Sequence, residues 1–458
     1  MAANRSFLAC INLDMHRTVH RLATLVAVLL LTVATPLLLA SSSSASSGTP
    51  AARGAAQPTA SFAKGVLTVR GTSQGQTMTV ARKGPTVTVR VGGAKVPLPR
   101  GYTNRKCDEI RIVGLAGDDR MTVDSSKGRV PDVVLIGGKG DDVLTGGGRS
   151  DVLDGGQGND VLRPGDGGKD VLDGGVGADT YLVDADLTGQ ATILEPDADG
   201  PDHLSFADTS RALTVNLGSK TTQPVTSAYA VALPQLGIEE LTGGDGDDHL
   251  LGGNTPGRIH GGPGNDVLSR PFGVLGGEGN VWFGDAGDDT FELFVACATC
   301  GSTRLEDSSG NDTVSFVGSG GTITVRLDTT ASQTVAGSYQ LQLATLTAID
   351  NVIGGSEDHI TGNDQPNRLN GWYGDDTLTG KEGADSFVIG GPFPGLSPSW
   401  GDDTVTDFAP GIDTVDLDPG LSVKSGLGTS TVVVWDGSQD RGSLTASNGH
   451  LWTGADFT

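Results

Sequence analysis

The sequence predicts an all-β protein: a parallel β-roll or β-solenoid built from three glycine-rich arrays, with β-rich spacers between them and an N-terminal β region before them. Three observations predict it. From Gly137 to Leu182 a nine-residue unit recurs in tandem (GGKGDDVLT, GGGRSDVLD, GGQGNDVLR, then after one inserted Pro164 GDGGKDVLD and GGVGADTYL). That period is too short for a helical repeat and suits one half-coil of a solenoid. Of 458 residues, 71 are glycine, about twice the usual share of ~7 %, and each glycine inside a helix would cost ~1 kcal/mol against alanine. Hydrophobic residues make up only 36 % and aromatic residues 5 %. This is too little for a thick core, but enough for a thin one in which each coil buries one or two aliphatic side chains.

The elements follow in chain order. Residues 1–45 read as a secretory signal peptide: Arg5, Arg17 and Arg21 precede an apolar run from Leu22 to Ala40 and a serine run, with cleavage expected between Ala40 and Ala45. Residues 46–61, rich in Ser, Ala, Thr and Pro, read as a disordered linker. Residues 62–136 carry short alternating runs such as GVLTVRG and PTVTVRVGG, punctuated by glycine. Within them GLAGDDRMT already shows the nonapeptide frame in degenerate form, with Asp119 at the sixth place. The first array is 137–182, followed by a β spacer, 183–241. The second array, 242–292, reads GGDGDDHLL, GGNTPGRIH, GGPGNDVLS, a damaged stretch and GDAGDDTFE. A second spacer, 293–353, leads to the third array, 354–390, with GGSEDHIT, GNDQPNRLN, GWYGDDTLT and GKEGADSFV. Residues 391–458 read as a C-terminal β cap, since a terminal repeat needs a polar outer face.

The second and third arrays are copies. An offset of 110 residues aligns Asp179 with Asp289, Asp202 with Asp312, Phe206 with Phe316, Asp248 with Asp358 and Asp266 with Asp376, across array and spacer together. Tandem duplication of a unit holding both elements accounts for this, and places spacer and array in one continuous architecture. Each array also ends on an aromatic (Tyr181, Phe291, Phe387) where earlier units have Leu, which predicts a ring plugging the end of a thin core.

The formal net charge is −24, which excludes nucleic acid and anionic membrane surfaces as partners, since both select clustered Lys and Arg. It points to cations. With two units per coil, Asp142 stacks over Asp160, Asp151 over Asp170 and Asp160 over Asp179, about one strand spacing (~4.8 Å) apart. Such carboxylates repel unless a cation lies between them. Glycine turns let carbonyls point into the same gap. Carboxylate and carbonyl oxygens without His or Cys form the ligand set of a hard cation, and flexible high coordination favours Ca²⁺ over Mg²⁺.

The units resemble the RTX nonapeptides of hemolysin-type calcium-binding proteins, GGxGxDxUx with U a large apolar residue; GGKGDDVLT and GGQGNDVLR fit at every defined position. The resemblance covers about Gly137 to Val388 in three blocks. It implies a parallel β-roll whose turns bind several calcium ions and whose U residues, here Leu144, Leu153, Leu162 and Leu172, fill the core. It makes Asp142, Asp151, Asp160, Asp170 and Asp179 calcium ligands, with Gly137, Gly155 and Gly174 giving turn carbonyls. In the second array it marks Asp248, Asp266 and Asp289, with fewer ions expected where Gly257 and later Val281 replace the acid. In the third it marks Asp358, Asp376 and Asp385, with Asn367 a weaker ligand; Asp403, 18 residues beyond Asp385, lies past a Pro-rich loop and carries no assignment. Affinity is expected near ~10⁻⁴–10⁻³ M, as in extracellular modules, so that folding waits for external calcium.

No catalytic constellation emerges. His16 and His20 have zinc-helix spacing but no Glu between them and lie in the signal segment. Ser73 in GTSQG is followed by a β run, whereas a nucleophile elbow needs a helix. Cys297 and Cys300 suit a local disulfide, leaving Cys107 unpaired. The reading is a secreted, non-enzymatic, calcium-binding β-roll with a structural or adhesive role, its partner a cell-surface glycan or protein, with no membrane span once the signal is cleaved. A calcium-dependent secreted enzyme, polysaccharide-active or hydrolytic, is the alternative, and a toxin-like cytolysin a third.

Overall fold

The computed structural model describes residues 57–195, 200–235, 237–253, 257–270, 279–295, 301–390, 401–435 and 440–458. The signal segment, Cys297, Cys300 and most of the linker lie outside the described residues. Among the described residues there is no helix, and the chain runs as short strands in four sheets. It is a parallel β-roll.

In the first half of the roll the chain alternates between two sheets. Val152–Gln157 pairs in parallel with Asp132–Lys139 on one side and Lys169–Val176 on the other. The intervening strands Val143–Thr145, Val161–Arg163 and Thr180–Leu182 pair likewise in the opposite sheet. Successive coils are in register: Leu144 faces Leu162 and Leu162 faces Tyr181. Each three-residue strand buries its middle side chain and leaves its neighbours partly exposed, as a two-residue side-chain period requires. Leu144, Leu153, Leu162 and Leu172 are fully buried, and one core cluster runs from Leu67 to Trp452.

The roll begins before Gly137. Val66–Arg70 pairs in parallel with Glu109–Val113 in the first sheet, and Thr77–Lys83 with Arg120–Asp124 in the second. Antiparallel hairpins cover the outer edges, Thr59–Ala63 on Val66–Arg70 and Thr86–Val91 on Thr77–Lys83, which protects unpaired strand edges.

The spacers are where one sheet ends and another starts. In the first, Gln223–Pro224 folds back antiparallel on Tyr229–Ala232 and closes the first sheet, while Thr214–Asn216 opens a third. In the second, Gln333–Ala336 folds back on Tyr339–Leu343 and closes the second sheet, while Thr324–Arg326 opens a fourth. These elements lie 110 residues apart, so the duplicated unit is a structural one. The core passes through each spacer, and the expectation that aromatics plug its ends is corrected. Tyr181 stacks on Leu204, Phe291 on Val314 and Phe387 on Val415, each a further buried layer. At the C-terminus Asp440–Ala446 joins the fourth sheet in parallel and carries the antiparallel strands Thr431–Trp435 and Ser422–Ser425.

Candidate metal centres

The glycines of a repeat do two different jobs. In the turn after Val152–Gln157, Gly156 and Gly158 have φ of 113° and 131°, which side chains other than glycine rarely adopt. Gly155 is needed for space instead: a Cβ there would stand 2.3 Å from Asp160 Oδ2 and 2.6 Å from the Gly174 carbonyl oxygen of the next coil. At Gly137 the same two neighbours are Asp142 Oδ2 at 2.2 Å and the Gly155 carbonyl at 2.7 Å. At Gly261 they are Asp266 Oδ2 at 2.3 Å and the Gly284 carbonyl at 2.6 Å. At Gly174 the nearest atom is Asp179 Oδ2 at 2.2 Å. The turns at Gly137, Gly155 and Gly261 therefore each leave a small space lined by one carboxylate oxygen and one backbone carbonyl from the adjacent coil.

The sixth-place acids are tied into ladders along the roll, the other carboxylate oxygen accepting a backbone N–H from the preceding coil. The Gln76 N–H donates to Asp119 Oδ1, Asp119 to Asp142, Asp142 to Asp160, Asp160 to Asp179, and Asp179 to Asp202, at 2.6–2.8 Å. On the other edge the Asp151 N–H donates to Asp170 Oδ1 at 2.8 Å. In the second array the Asp248 N–H donates to Asp266, Asp266 to Asp289 and Asp289 to Asp312. In the third, Asp358 donates to Asp376 and Asn367 to Asp385.

The ladders divide the acids into two kinds. Asp119, Asp142, Asp160, Asp266, Asp289, Asp376 and Asp385 are 0–2 % exposed, and their Oδ2 atoms are buried without a hydrogen-bond donor. A buried carboxylate oxygen without a partner is costly. Burial pushes the Asp160 carboxyl up to about 7 and those of Asp266 and Asp376 up to about 8, with neighbouring carboxylates adding to the rise. Asp151, Asp248 and Asp358 differ: each accepts backbone N–H groups on both oxygens, from Val133 and Gly147, from Leu213 and Gly244, and from Ile323 and Gly355 respectively. Asn367 is also satisfied. Its oxygen accepts the Asn363 N–H at 2.7 Å and its amide donates to the Asp350 carbonyl at 2.9 Å.

Two details of the sequence reading are corrected. Val281 pairs with Arg258, so the residue at the sixth place there is Asn280, whose Oδ1 accepts the Gly257 N–H at 3.2 Å. Asp403 does belong to a ladder, but it follows Asp376 rather than Asp385; Asp413 follows Asp385. The coil from Asp376 to Asp403 is longer, the bonded acids being 27 residues apart where Asp358 and Asp376 are 18 apart. The sequence reading also missed a second, outer ladder formed by the fifth residue of each unit. Asp118 accepts from the Asp141 N–H, Asp141 from Asn159, Asn159 from Ala178, Asp247 from Asn265 and Asn265 from Asp288. Its signal was the recurrent Asp or Asn before many of the sixth-place acids, as at Asp118, Asp141, Asn159, Asp247, Asn265 and Asp288.

Comparison with known families agrees with this geometry. The model of the RTX calcium-binding nonapeptide repeat matches residues 134–162, 165–181 and 236–268, in four copies. The chain carries RTX calcium-binding nonapeptide repeats. Residues 302–428 match the C-terminal region of M10 serralysin peptidases, and this stretch takes in most of the second spacer and all of the third array. Neither match is to a catalytic domain. No curated protein matches the chain. RTX repeats are calcium-binding, and the donor set of the repeat turns, carboxylate and carbonyl oxygen around a space kept open by glycine, fits that ion. RTX repeats and the serralysin C-terminal region are both typical of secreted proteins.

Proposed function

We propose that the protein is a secreted calcium-binding β-roll whose stability is coupled to external calcium and whose role is structural or adhesive, without catalysis of its own. The observation carrying this is the set of buried Oδ2 atoms that lack a donor, those of Asp119, Asp142, Asp160 and Asp266 lying beside a glycine carbonyl of the next coil. Calcium would be held there by Asp142, Asp160, Asp266, Asp289, Asp376 and Asp385 with the carbonyls of the glycine turns; bound, it supplies the positive charge the ladders lack. Asp170 and Asp179 occupy the same ladders and would contribute carboxylate ligands alongside them. Asp151, Asp248 and Asp358 anchor the starts of the ladders through backbone N–H groups, and Asn367 closes its rung by hydrogen bonds.

Calcium addition to chelated full-length protein, followed by circular dichroism, tests the reading. A cooperative gain of β-structure and of thermal stability is expected, and an unchanged spectrum and unfolding curve would overturn it. Binding to glycan arrays with and without chelator tests the adhesive role, with retention only in calcium expected.

A further inference from the structure

Each ladder must end, and the last glycine turn of an array has no following turn to supply a carbonyl. In the first array Asp173 pairs with Leu194, so the residue opposite Gly174 is Glu195. In the second array Phe283 pairs with Glu306, so the residue opposite Gly284 is Asp307. Within an array that position is the next glycine, as Gly174 is for Gly155. Both spacers thus place a carboxylate where the array has a carbonyl. A Cβ on Gly284 would stand 2.3 Å from Asp289 Oδ2 and 2.7 Å from Asp307 Oδ1.

Each of these acids converges with two ladder acids. One oxygen from each of Asp289, Asp307 and Asp312 lies within 4.8 Å of the others, and the same holds for Asp179, Glu195 and Asp202. Asp289 is 1 % exposed and Glu195 2 %, and Asp289 Oδ2 and Glu195 Oε1 are buried without a hydrogen-bond donor. Glu195 is fixed from its other oxygen, which accepts the Tyr181 hydroxyl at 2.5 Å; that hydroxyl in turn accepts the Gly174 N–H at 2.9 Å. The third array ends differently. Gly380 meets Asp407, whose oxygens accept the Gly380 and Lys381 N–H groups at 2.9 Å, so that end is closed by hydrogen bonds.

We infer that the two array-to-spacer junctions, Asp179–Glu195–Asp202 and Asp289–Asp307–Asp312, are calcium sites of a second class, in which Glu195 and Asp307 stand in for the missing glycine carbonyl. This rests on the calcium reading above. Three carboxylates around one divalent ion exceed the charge of an ordinary rung, and ligand charge is a main determinant of calcium affinity. The junction sites therefore fill first and hold array and spacer together before the rungs saturate.

The test is calorimetric titration of the full chain with calcium, in the wild type, Glu195→Gln, Asp307→Asn and the double variant. The wild type should show two affinity classes at least about ten-fold apart, with two ions in the tighter class. Each single variant should lose one tight ion and the double variant both, while the weaker class remains. Circular dichroism at saturating calcium checks that the variants fold, and Asp407→Asn, at the hydrogen-bonded end, should leave the tight class intact. A single affinity class in the wild type, or a tight class that survives in the double variant, overturns the junction sites alone. Absence of any calcium binding overturns the broader reading as well.

Discussion

Asp160 gives the sharpest test of how the ladder works, because its two oxygens have different tasks. Oδ1 accepts the Asp142 N–H at 2.6 Å, and Oδ2 is buried without a donor near the Gly174 carbonyl. Asp160→Ala removes both and leaves a buried N–H unpaired, a loss of ~1–3 kcal/mol, or about 1 °C per kcal/mol in melting temperature for a roll of this length. Asp160→Asn keeps an acceptor for Asp142 and turns the second position into a donor. Asn367 shows that such an amide can reach a carbonyl, at 2.9 Å. Thermal unfolding in chelator should therefore show the Ala variant below wild type and the Asn variant at or above it, since Asn also removes an uncompensated buried charge. In saturating calcium the order changes: both variants should fall below wild type, and calorimetry should show fewer bound ions. If Asn destabilises the chelated protein as much as Ala, Oδ2 is not an uncompensated charge and the reasoning fails. It fails equally if ion stoichiometry is unchanged.

Other perturbations probe the core, the glycines and proton linkage. Leu162→Ala empties a fully buried position between Leu144 and Tyr181 and should cost ~2–5 kcal/mol with and without calcium, measured by urea unfolding. Gly155→Ala would place a methyl 2.3 Å from Asp160 Oδ2 and 2.6 Å from the Gly174 carbonyl oxygen; we expect both calcium affinity near that rung and stability in chelator to drop, read by calorimetry and melting. For pH, burial raises the Asp160 carboxyl to about 7 and the Asp266 and Asp376 carboxyls to about 8, against ~3.9 unfolded. The folded form then binds more protons than the unfolded form between those values, so calcium-free stability should fall as pH rises from about 4 to about 8. Calcium affinity should move the opposite way, since ions and protons compete for the same oxygens. Melting curves across that range in chelator should slope downward with pH, and a rising slope would contradict the assigned shifts.

The roll and its inward Leu residues were legible because a strict nine-residue period fixes strand, turn and buried position together, and the 110-residue offset revealed the unit that repeats. What could not be read was which oxygen each acid spends on which donor. Asp151 and Asp160 occupy the same place in their units and each accepts a preceding-coil N–H on Oδ1, yet Asp151 also accepts the Gly147 N–H of its own turn on Oδ2, because Gly147 lacks the positive φ that Gly156 has before Asp160. Asp160 sits between two array turns and retains one bare oxygen. The frame at Asn280 was missed for a similar reason, since the damaged stretch before it hides the register that strand pairing restores. Glu195 and Asp307 carry no motif at all; only the pairing of Leu194 and Glu306 with the preceding coil puts them opposite a glycine.

The ladder is also directional, and that direction assigns work to the non-repeat parts of the chain. The N–H groups of Asp119, Asp142, Asp151, Asp160, Asp179, Asp248, Asp266, Asp289, Asp358, Asn367, Asp376 and Asp385 all donate toward the next coil, so each of these coils is satisfied only when its C-terminal neighbour has arrived. The spacers complete the first two arrays: the Asp202 N–H goes to Glu239 and the Asp312 N–H to Asp350. The C-terminal region completes the third, with Asp403 receiving from Asp376 and Asp413 from Asp385. At the other end Gln76, Val133 and Leu213 supply the first donors from segments outside the arrays. Repeats alone would leave buried N–H groups at one end and unpaired acceptors at the other, each costing ~1–3 kcal/mol. The β-rich stretches around the arrays are therefore part of the calcium-binding structure: they terminate its hydrogen bonds, and the charge left inside is what calcium has to balance.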